Sequence, residues 1–237
     1  MNRLHIVIPA YNEEANIEKV VREWHRVVES LGDDGSKLVI IDDGSRDSTF
    51  EILNQLTSEL KCLHPIRKEN SGHGATVLFG YRWALQDGAD FIFQTDSDGQ
   101  TIPEEFTNFW ALRNDYDAIV GHRKHRQDGF SRILVTKTLK MVLLLTFGVR
   151  VIDANTPFRL MKRDLIEKYI GRIPDGFNLT NVLLTVAFIR NKEKVRFLPI
   201  TFRPRQGGVN SINLKKITRI GIRAVRDFRI IRKQSQL

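Results

Sequence analysis

The stretch Phe91-Ile92-Phe93-Gln94-Thr95-Asp96-Ser97-Asp98-Gly99-Gln100 is an apolar run that stops at two carboxylates one residue apart. Phe91 to Gln94 reads as a short buried strand, and in an open parallel sheet ligands sit just past the carboxyl ends of the strands. Asp96 and Asp98, in a non-helical segment, offer hard oxygen ligands to a divalent cation that keeps its other positions for phosphate oxygens and water, and Gln100 adds a neutral oxygen nearby. The competing reading is a plain acidic turn, because Asp, Ser and Gly are ordinary turn residues. The rest of the chain decides between the two.

Outward from this stretch the pattern repeats. Leu4 to Pro9 is an apolar strand that leads into Ala10-Tyr11-Asn12-Glu13-Glu14, and Ile17, Val20, Val21, Trp24, Val27, Val28 and Leu31 follow at the spacing of an amphipathic helix. Leu38 to Ile41 is a second strand that ends in Asp42-Asp43-Gly44-Ser45, and Ser48 with Glu51 predicts a capping box for the next helix. A weaker strand over Leu63 to Ile66 leads through Asn70-Ser71-Gly72-His73-Gly74 to a helix from about Ala75 to Gln86. After the central strand, Pro103-Glu104-Glu105 suits a first helical turn, and Asp117 to Gly121 reads as another strand. Alternating strands and helices predict an α/β fold with a mostly parallel central sheet flanked by helices. Four polar, acidic or Gly-rich loops then converge on one edge of that sheet.

The second half is plainer. A basic stretch from His122 to Arg126 precedes an apolar, Lys-punctuated segment from Ile133 to Val149. Phe158 to Met161 reads as a strand, Leu165 to Ile170 and Leu179 to Ile189 as helices, and Val195 to Phe202 as a last strand. From Leu214 the tail has a helical pattern in which Lys215, Lys216, Arg219, Arg223, Arg226, Arg229, Arg232 and Lys233 alternate with Ile217, Ile220, Ile222, Val225, Phe228 and Ile231. Such a helix suits an anionic membrane surface; the alternative is an apolar stripe packed on the domain. The expected division is a main domain over 1–213 and a basic amphipathic helix over 214–237.

The 237 residues carry a net charge of +9, which calls for an anionic partner: nucleic acid, a membrane surface or phosphorylated substrates. Nucleic acid is disfavoured, because carboxylates along the sheet edge would repel phosphates unless metal intervened. Cys62 is the sole cysteine, which excludes an intramolecular disulfide and fits a reducing compartment. A start on a strand disfavours a signal peptide, and the apolar run Met141 to Phe147 falls far short of the roughly 20 residues that span a bilayer. The expected location is therefore cytoplasmic and peripheral to a membrane. The first strand leads to Pro-Ala-Tyr-Asn-Glu rather than Gly-x-Gly-x-x-Gly, which argues against a Rossmann dehydrogenase.

Taken singly, each loop has an ordinary structural reading; His73, for instance, is by residue type more often structural than catalytic. In this order, however, Ile8-Pro9-Ala10-Tyr11-Asn12-Glu13-Glu14, Ile41-Asp42-Asp43-Gly44-Ser45 with Asp47-Ser48-Thr49, Asn70-Ser71-Gly72-His73-Gly74 and Asp96-Ser97-Asp98-Gly99-Gln100 resemble the family 2 glycosyltransferases of the GT-A fold. The spacing is similar to the branch that includes dolichyl-phosphate mannose synthase and bacterial polyprenyl-phosphate glycosyltransferases. The likeness is close over about the first 125 residues and looser through Asp153 to Arg159 and Arg205 to Ser211.

The resemblance implies a GT-A nucleotide-diphospho-sugar transferase fold and an inverting, metal-dependent hexosyl transfer from a UDP or GDP sugar to a polyprenyl phosphate at the cytoplasmic membrane face. It implies that Pro9, Tyr11 and Glu13 frame the nucleoside, that Asp42 meets the base or ribose, and that Asp43, Gly72, Asp96 and Ser97 complete the donor site. Asp96 and Asp98, with Gln100, would hold Mg2+ or Mn2+ against the diphosphate, and Arg123 and Arg205 would add fixed positive charge to phosphate groups beside Asp98. A homo-oligomer or a membrane-protein partner is compatible with this picture. The same donor chemistry on a soluble hydroxyl acceptor would need a general base, for which only Asp153 stands out. Two departures concern phosphate contacts: His73 stands where the family often has lysine, and Asn210-Ser211-Ile212 stands where it often has Ser-Lys.

Overall fold

A computed structural model describes residues 2–123, 130–203 and 228, with side chains omitted over 130–137. In chain order the elements are β1 (Leu4–Ala10), α1 (Ile17–Leu31), β2 (Lys37–Asp42), α2 (Thr49–Leu56), β3 (Leu63–Arg67), α3 (His73–Gln86) and β4 (Phe91–Gln94). A 3-10 turn (Pro103–Glu105) then runs into α4 (Phe106–Ala111), followed by β5 (Ala118–Arg123), α5 (Phe130–Phe147), β6 (Arg159–Lys162), α6 (Arg163–Ile170), α7 (Thr180–Arg190) and β7 (Val195–Ile200).

The strands form one sheet in the order β3-β2-β1-β4-β6-β5-β7. β1, β2, β3 and β4 are parallel, with Pro9 opposite Ile41 and Ile6 opposite Phe93. β6 runs antiparallel to both β4 and β5, and β5 pairs parallel with β7. The expected mostly parallel α/β sheet is thus present, with one reversed strand whose direction the sequence did not disclose.

The period-two arithmetic of a strand sends alternate side chains to opposite faces. Val7, Val39, Ile41 and Ile92 pack with α3, α6 and α7, whereas Ile6, Ile8, Leu38, Ile40 and Phe93 pack with α1, α2 and α4. Strands covered on both faces read as continuous apolar runs, which is why β1, β2 and β4 lack polar alternation. Under β4, Phe93 meets Phe106 edge-on at 4.6 Å and Phe158 at 4.7 Å between ring centroids, with Trp24 beside it. These rings hold the strand whose end carries Asp96.

Two local expectations are corrected, and a third falls outside the described residues. No capping box forms at Ser48: its side chain makes no cap bond, and the Ser48 N–H donates to Glu14 instead of Glu51. The helix of the Gly-rich loop begins at His73, with Gly72 as its N-cap at φ 88°, a left-handed angle that glycine adopts at no steric cost. The appended helix expected over 214–237 lies outside the described residues apart from Phe228, which is fully buried at 5.6 Å from Phe147 and 5.9 Å from Phe177.

Candidate active site

The chain passes from β1 through β2 to β3 on one side, then returns to place β4 on the other side of β1. A crevice opens at such a reversal, beyond the carboxyl ends of the strands. Here a cavity of about 360 Å³ is lined from β1 and its loop by Pro9, Ala10, Tyr11 and Glu13, from the β2 end by Asp43, and from the β4 end by Asp96, Ser97 and Asp98. Asn70, Gly72, His73 and Thr76 close it from the side of α3.

The loops after β1 and β2 are knitted together. The Asn12 N–H donates to Ser45 Oγ, the Glu13 N–H to Thr49 Oγ1 and the Glu14 N–H to Asp47, while Asn12 Oδ1 accepts from the Arg46 N–H. Ser45, Asp47 and Thr49 therefore hold the Tyr11–Glu14 loop in shape. Asn12 itself sits at φ 54°, a left-handed angle that asparagine tolerates better than most residues.

Of the two aspartates expected in the donor site, Asp43 lines the cavity and Asp42 does not. Asp42 has no exposed surface; its carboxylate accepts from the Ser45 N–H and lies 3.4 Å from Arg67 Nε, beneath the cavity wall. Its neighbour Asp43, one residue past the end of β2 and also buried, lines the cavity. Asp43 is held by the Ser71 and Gly72 N–H groups, both at 2.9 Å, and by Lys68 Nζ at 2.5 Å. Burial works against that carboxylate, but Lys68, the Ser71 N–H and Thr76 outweigh it and keep it below the usual range. The loop from Lys68 to Gly72 is thus clamped by one carboxylate. Lys68, five residues before His73, donates to Asp43 and to Ser71 Oγ.

α3 points its N-terminus at the cavity. Its first turn lies against the segment before α7: a Cβ on Gly74 would stand 2.3 Å from the Asn178 carbonyl carbon, and Thr180 Oγ1 donates to the Gly74 carbonyl at 2.8 Å. His73 is half exposed, with Nε2 3.7 Å from Asp96 Oδ1.

Asp96 keeps 30% of its side-chain surface open, and the rest is packed. Burial pushes its carboxyl above the ordinary range; Asp98 adds to that, while His73, Arg123 and the Gln94 amide oppose it. Gln100 turns away from the expected ligand set: its Nε2 donates to the Arg203 carbonyl at 3.1 Å, and it does not line the cavity. Arg123, at the end of β5, lies 4.0 Å over the Phe202 ring, outside the lining. Arg205 lies outside the described residues. Asp153 accepts from the Asn155 N–H and is also off the lining. Among the described residues, no three His, Cys, Asp or Glu side chains gather as a ready-made metal cage.

Sequence reasoning assigned no role to Lys68 or to the polar core behind Asp96. Gln94, Asn181 and Arg159 are buried within or beside apolar segments. Arg159 has no exposed surface and donates to the carbonyls of Ala154, Thr156 and Asn181 and to Thr185 Oγ1. Burial lowers its pKa from the usual arginine value. A fully buried cation held by neutral acceptors is costly to solvate this way. The visible signal was polar residues in runs that otherwise read as core.

Comparison with known proteins agrees with this geometry. The chain is 27% identical over 222 residues to a polyprenol monophosphomannose synthase of Mycolicibacterium smegmatis, covering 89% of this chain and 81% of that one. It is 30% identical over 165 residues to an undecaprenyl-phosphate 4-deoxy-4-formamido-L-arabinose transferase of Shewanella sediminis, covering 68% of this chain and 49% of that one, so it spans about half the length of that relative. A solved glucosyl-3-phosphoglycerate synthase from Mycobacterium tuberculosis in complex with UDP shares the fold, with a TM-score of 0.70, 18% identity and coverage of 96% and 80%. Another crystal structure of that synthase holds Mn2+, UDP and glucosyl-3-phosphoglycerate. With residues 5–170 matching its description, this chain belongs to glycosyl transferase family 2.

Proposed function

We propose that the protein transfers a glycosyl group from a nucleoside diphosphate sugar to a polyprenyl phosphate, with inversion at the anomeric carbon. The observation that carries this reading is the Asp96-Ser97-Asp98 pair opposite the N-terminus of α3 in one cavity at the sheet's reversal. The likeness to the mycobacterial synthase over 89% of the chain supports the acceptor class.

Pro9, Tyr11 and Glu13 frame the nucleoside, with Asp43 as the wall that replaces Asp42. Gly72 and the first turn of α3 face the diphosphate with main-chain N–H groups and the positive end of the helix dipole. The donor set at Asp96 and Asp98 suits Mg2+ or Mn2+: both carboxylates are hard oxygen donors, and both line the same cavity. Such a cation, when bound, supplies positive charge against the leaving diphosphate. Arg123 supports Asp96 electrostatically, and we assign to it and to Arg205, which lies outside the described residues, the countering of phosphate charge on the acceptor.

A phosphate acceptor is already anionic and needs no proton removed, whereas a hydroxyl acceptor needs a base. Among the described residues, the cavity carboxylates beyond the Asp96–Asp98 pair are engaged: Asp43 by Lys68 and two N–H groups, Glu13 by Asn16 Nδ2. This favours the phosphate. A lipid phosphate lies at a bilayer surface. Met141, Leu144 and Leu145 expose 57%, 41% and 75% of their surface on one stretch of α5, and no described helix is long and apolar enough to cross a membrane. We assign this face and the basic residues of 214–237 to peripheral contact with anionic headgroups.

The test is transfer of labelled sugar from UDP- and GDP-sugars, with Mn2+ or Mg2+, to a short polyprenyl phosphate or to 3-phosphoglycerate. Label extracted into solvent with the polyprenyl phosphate is expected. Transfer to phosphoglycerate alone would overturn the acceptor assignment. Asp98→Ala should lower the metal-dependent rate by roughly 100-fold or more without unfolding the protein, since a bound cation supplies several kcal/mol of charge stabilisation; full activity in saturating metal would overturn the ligand assignment.

A further inference from the structure

Behind Asp96 runs a line of hydrogen bonds that the transfer reaction does not itself require. Tyr81, on α3, donates its phenol proton to Asn181 Oδ1 at 2.9 Å. Asn181, at the start of α7, donates through Nδ2 to Gln94 Oε1 at 2.8 Å. Gln94, the last residue of β4, donates through Nε2 to Asp96 Oδ1 at 3.1 Å and to the Thr95 carbonyl. Tyr81 and Gln94 have no exposed surface, and Asn181 has 4%.

The direction of the line is set at its outer end. An ionised carboxylate only accepts, so Gln94 must present its NH2 group to Asp96. Its oxygen then faces Asn181 and requires a donor, which fixes the Asn181 amide. The oxygen of Asn181 in turn requires a donor, and the Tyr81 hydroxyl is the one in reach. Reversing either amide would set oxygen against oxygen in a dry core. Arg159 stands opposite Gln94 in the β4–β6 pairing and donates to the Asn181 carbonyl, so the main chain under the middle of the line is anchored as well.

We propose that Gln94, Asn181 and Tyr81 are positioning residues that hold the Asp96 carboxylate by Oδ1 and leave Oδ2 for the cation. The inference rests on the assignment of Asp96 and Asp98 as metal ligands. Holding one oxygen fixes which of the two is left for a ligand, and outer hydrogen-bond partners of metal ligands are worth roughly 10- to 100-fold in metal affinity. The line also ties the orientation of Asp96 to the packing of α3, whose first turn lines the cavity, on α7.

The experiment measures Mn2+ binding by the EPR amplitude of free Mn2+, with the metal alone and with UDP and GDP both present. Gln94→Met, Tyr81→Phe and Asp98→Ala are compared with the unaltered protein, and each melting temperature is taken without metal. Gln94→Met is expected to weaken Mn2+ by roughly 10- to 100-fold. Tyr81→Phe, which removes one oxygen from a site of unchanged shape, is expected to weaken it less but measurably. A purely structural role would lower the metal-free melting temperature and leave Mn2+ affinity unaltered, which would overturn the proposal. Unaltered affinity in Tyr81→Phe alone would overturn its extension through Asn181. If Asp98→Ala loses Mn2+ while Gln94→Met retains it, the metal site stands and the line fails. If Asp98→Ala binds Mn2+ as the unaltered protein does, the ligand assignment itself fails.

Discussion

Asp43 shows how one carboxylate does two things at the residue scale: it walls the cavity and organises the loop from Lys68 to Gly72. Asp43→Asn keeps the shape but weakens three donors' bonds to a charge, and is expected to cost about 1–3 kcal/mol in urea unfolding at pH 7. The effect depends on pH. Because the folded carboxyl sits below its ordinary 3.8, the stability it contributes is present above that value and is lost as pH falls through the lower folded value. The variant should lose that part of the acid dependence, and the two unfolding curves should converge below pH 3.8. His5 behaves oppositely in sense of charge. Burial lowers its imidazole from 6.5 in spite of the Asp87 carboxylate at 2.6 Å. The unfolded chain therefore takes up the proton first, and stability present above pH 6.5 is lost as pH falls below it. His5→Gln should flatten the stability profile just below 6.5; an unchanged slope would show that the Asp87 contact keeps the folded ring protonated.

At the scale of elements, α5 and α3 divide the work of addressing two surfaces. In α5, Leu143 and Phe147 are buried in the core, whereas Met141, Leu144 and Leu145, three and four residues apart, lie on the exposed side. Leu145→Asp removes apolar surface that is 75% exposed, so the melting temperature should move by under about 0.5 kcal/mol equivalent, as surface changes do. Flotation with anionic liposomes should drop several-fold. Equal flotation of variant and unaltered protein would assign membrane contact elsewhere, the basic segment 214–237 being the next place to examine. Phe228 is buried against Phe147 and Phe177, so this one described residue of the tail packs on the core.

For the whole molecule, the net charge of +9 and the carboxylate-lined cavity are complementary features in the proposed function: the first would draw the protein to anionic surfaces, and the second would take a metal with its phosphates. Attraction between separated charges is screened within about 8 Å at physiological salt, so liposome association should fall steeply between low and high salt. Donor binding should respond differently. A nucleotide sugar that binds only the folded state stabilises it by about 2.7 kcal/mol at 100 times its dissociation constant. For a chain of this size that is a rise of roughly 5–11 °C in melting temperature. The rise should need Mn2+ or Mg2+ and should vanish in Asp98→Ala. A metal-independent shift of the same size would remove the cation from donor binding.

The amino-acid sequence by itself determined most of the helices, though not α5, together with the core strands and the loops that carry the site, because those depend on local periodicity and on apolar runs interrupted by turn formers. It placed Asp96, Ser97 and Asp98 at a strand end and put Pro9, Tyr11, Glu13, Asp43 and Gly72 in the neighbouring loops, and the cavity is built from these residues. Tertiary structure decided what spacing leaves open. At the end of β2, Asp42 is fully buried off the cavity while Asp43 lines it, a one-residue difference that composition cannot reveal. Glu14, 34 residues away, rather than Glu51 satisfies the N–H of Ser48, because the loop after β1 packs on the start of α2. β6 enters the sheet reversed, which puts Arg159 opposite Gln94. The line from Tyr81 to Asp96 joins residues 100 and 87 positions apart in the chain, and contacts of that separation exist only after the helices have docked on the sheet.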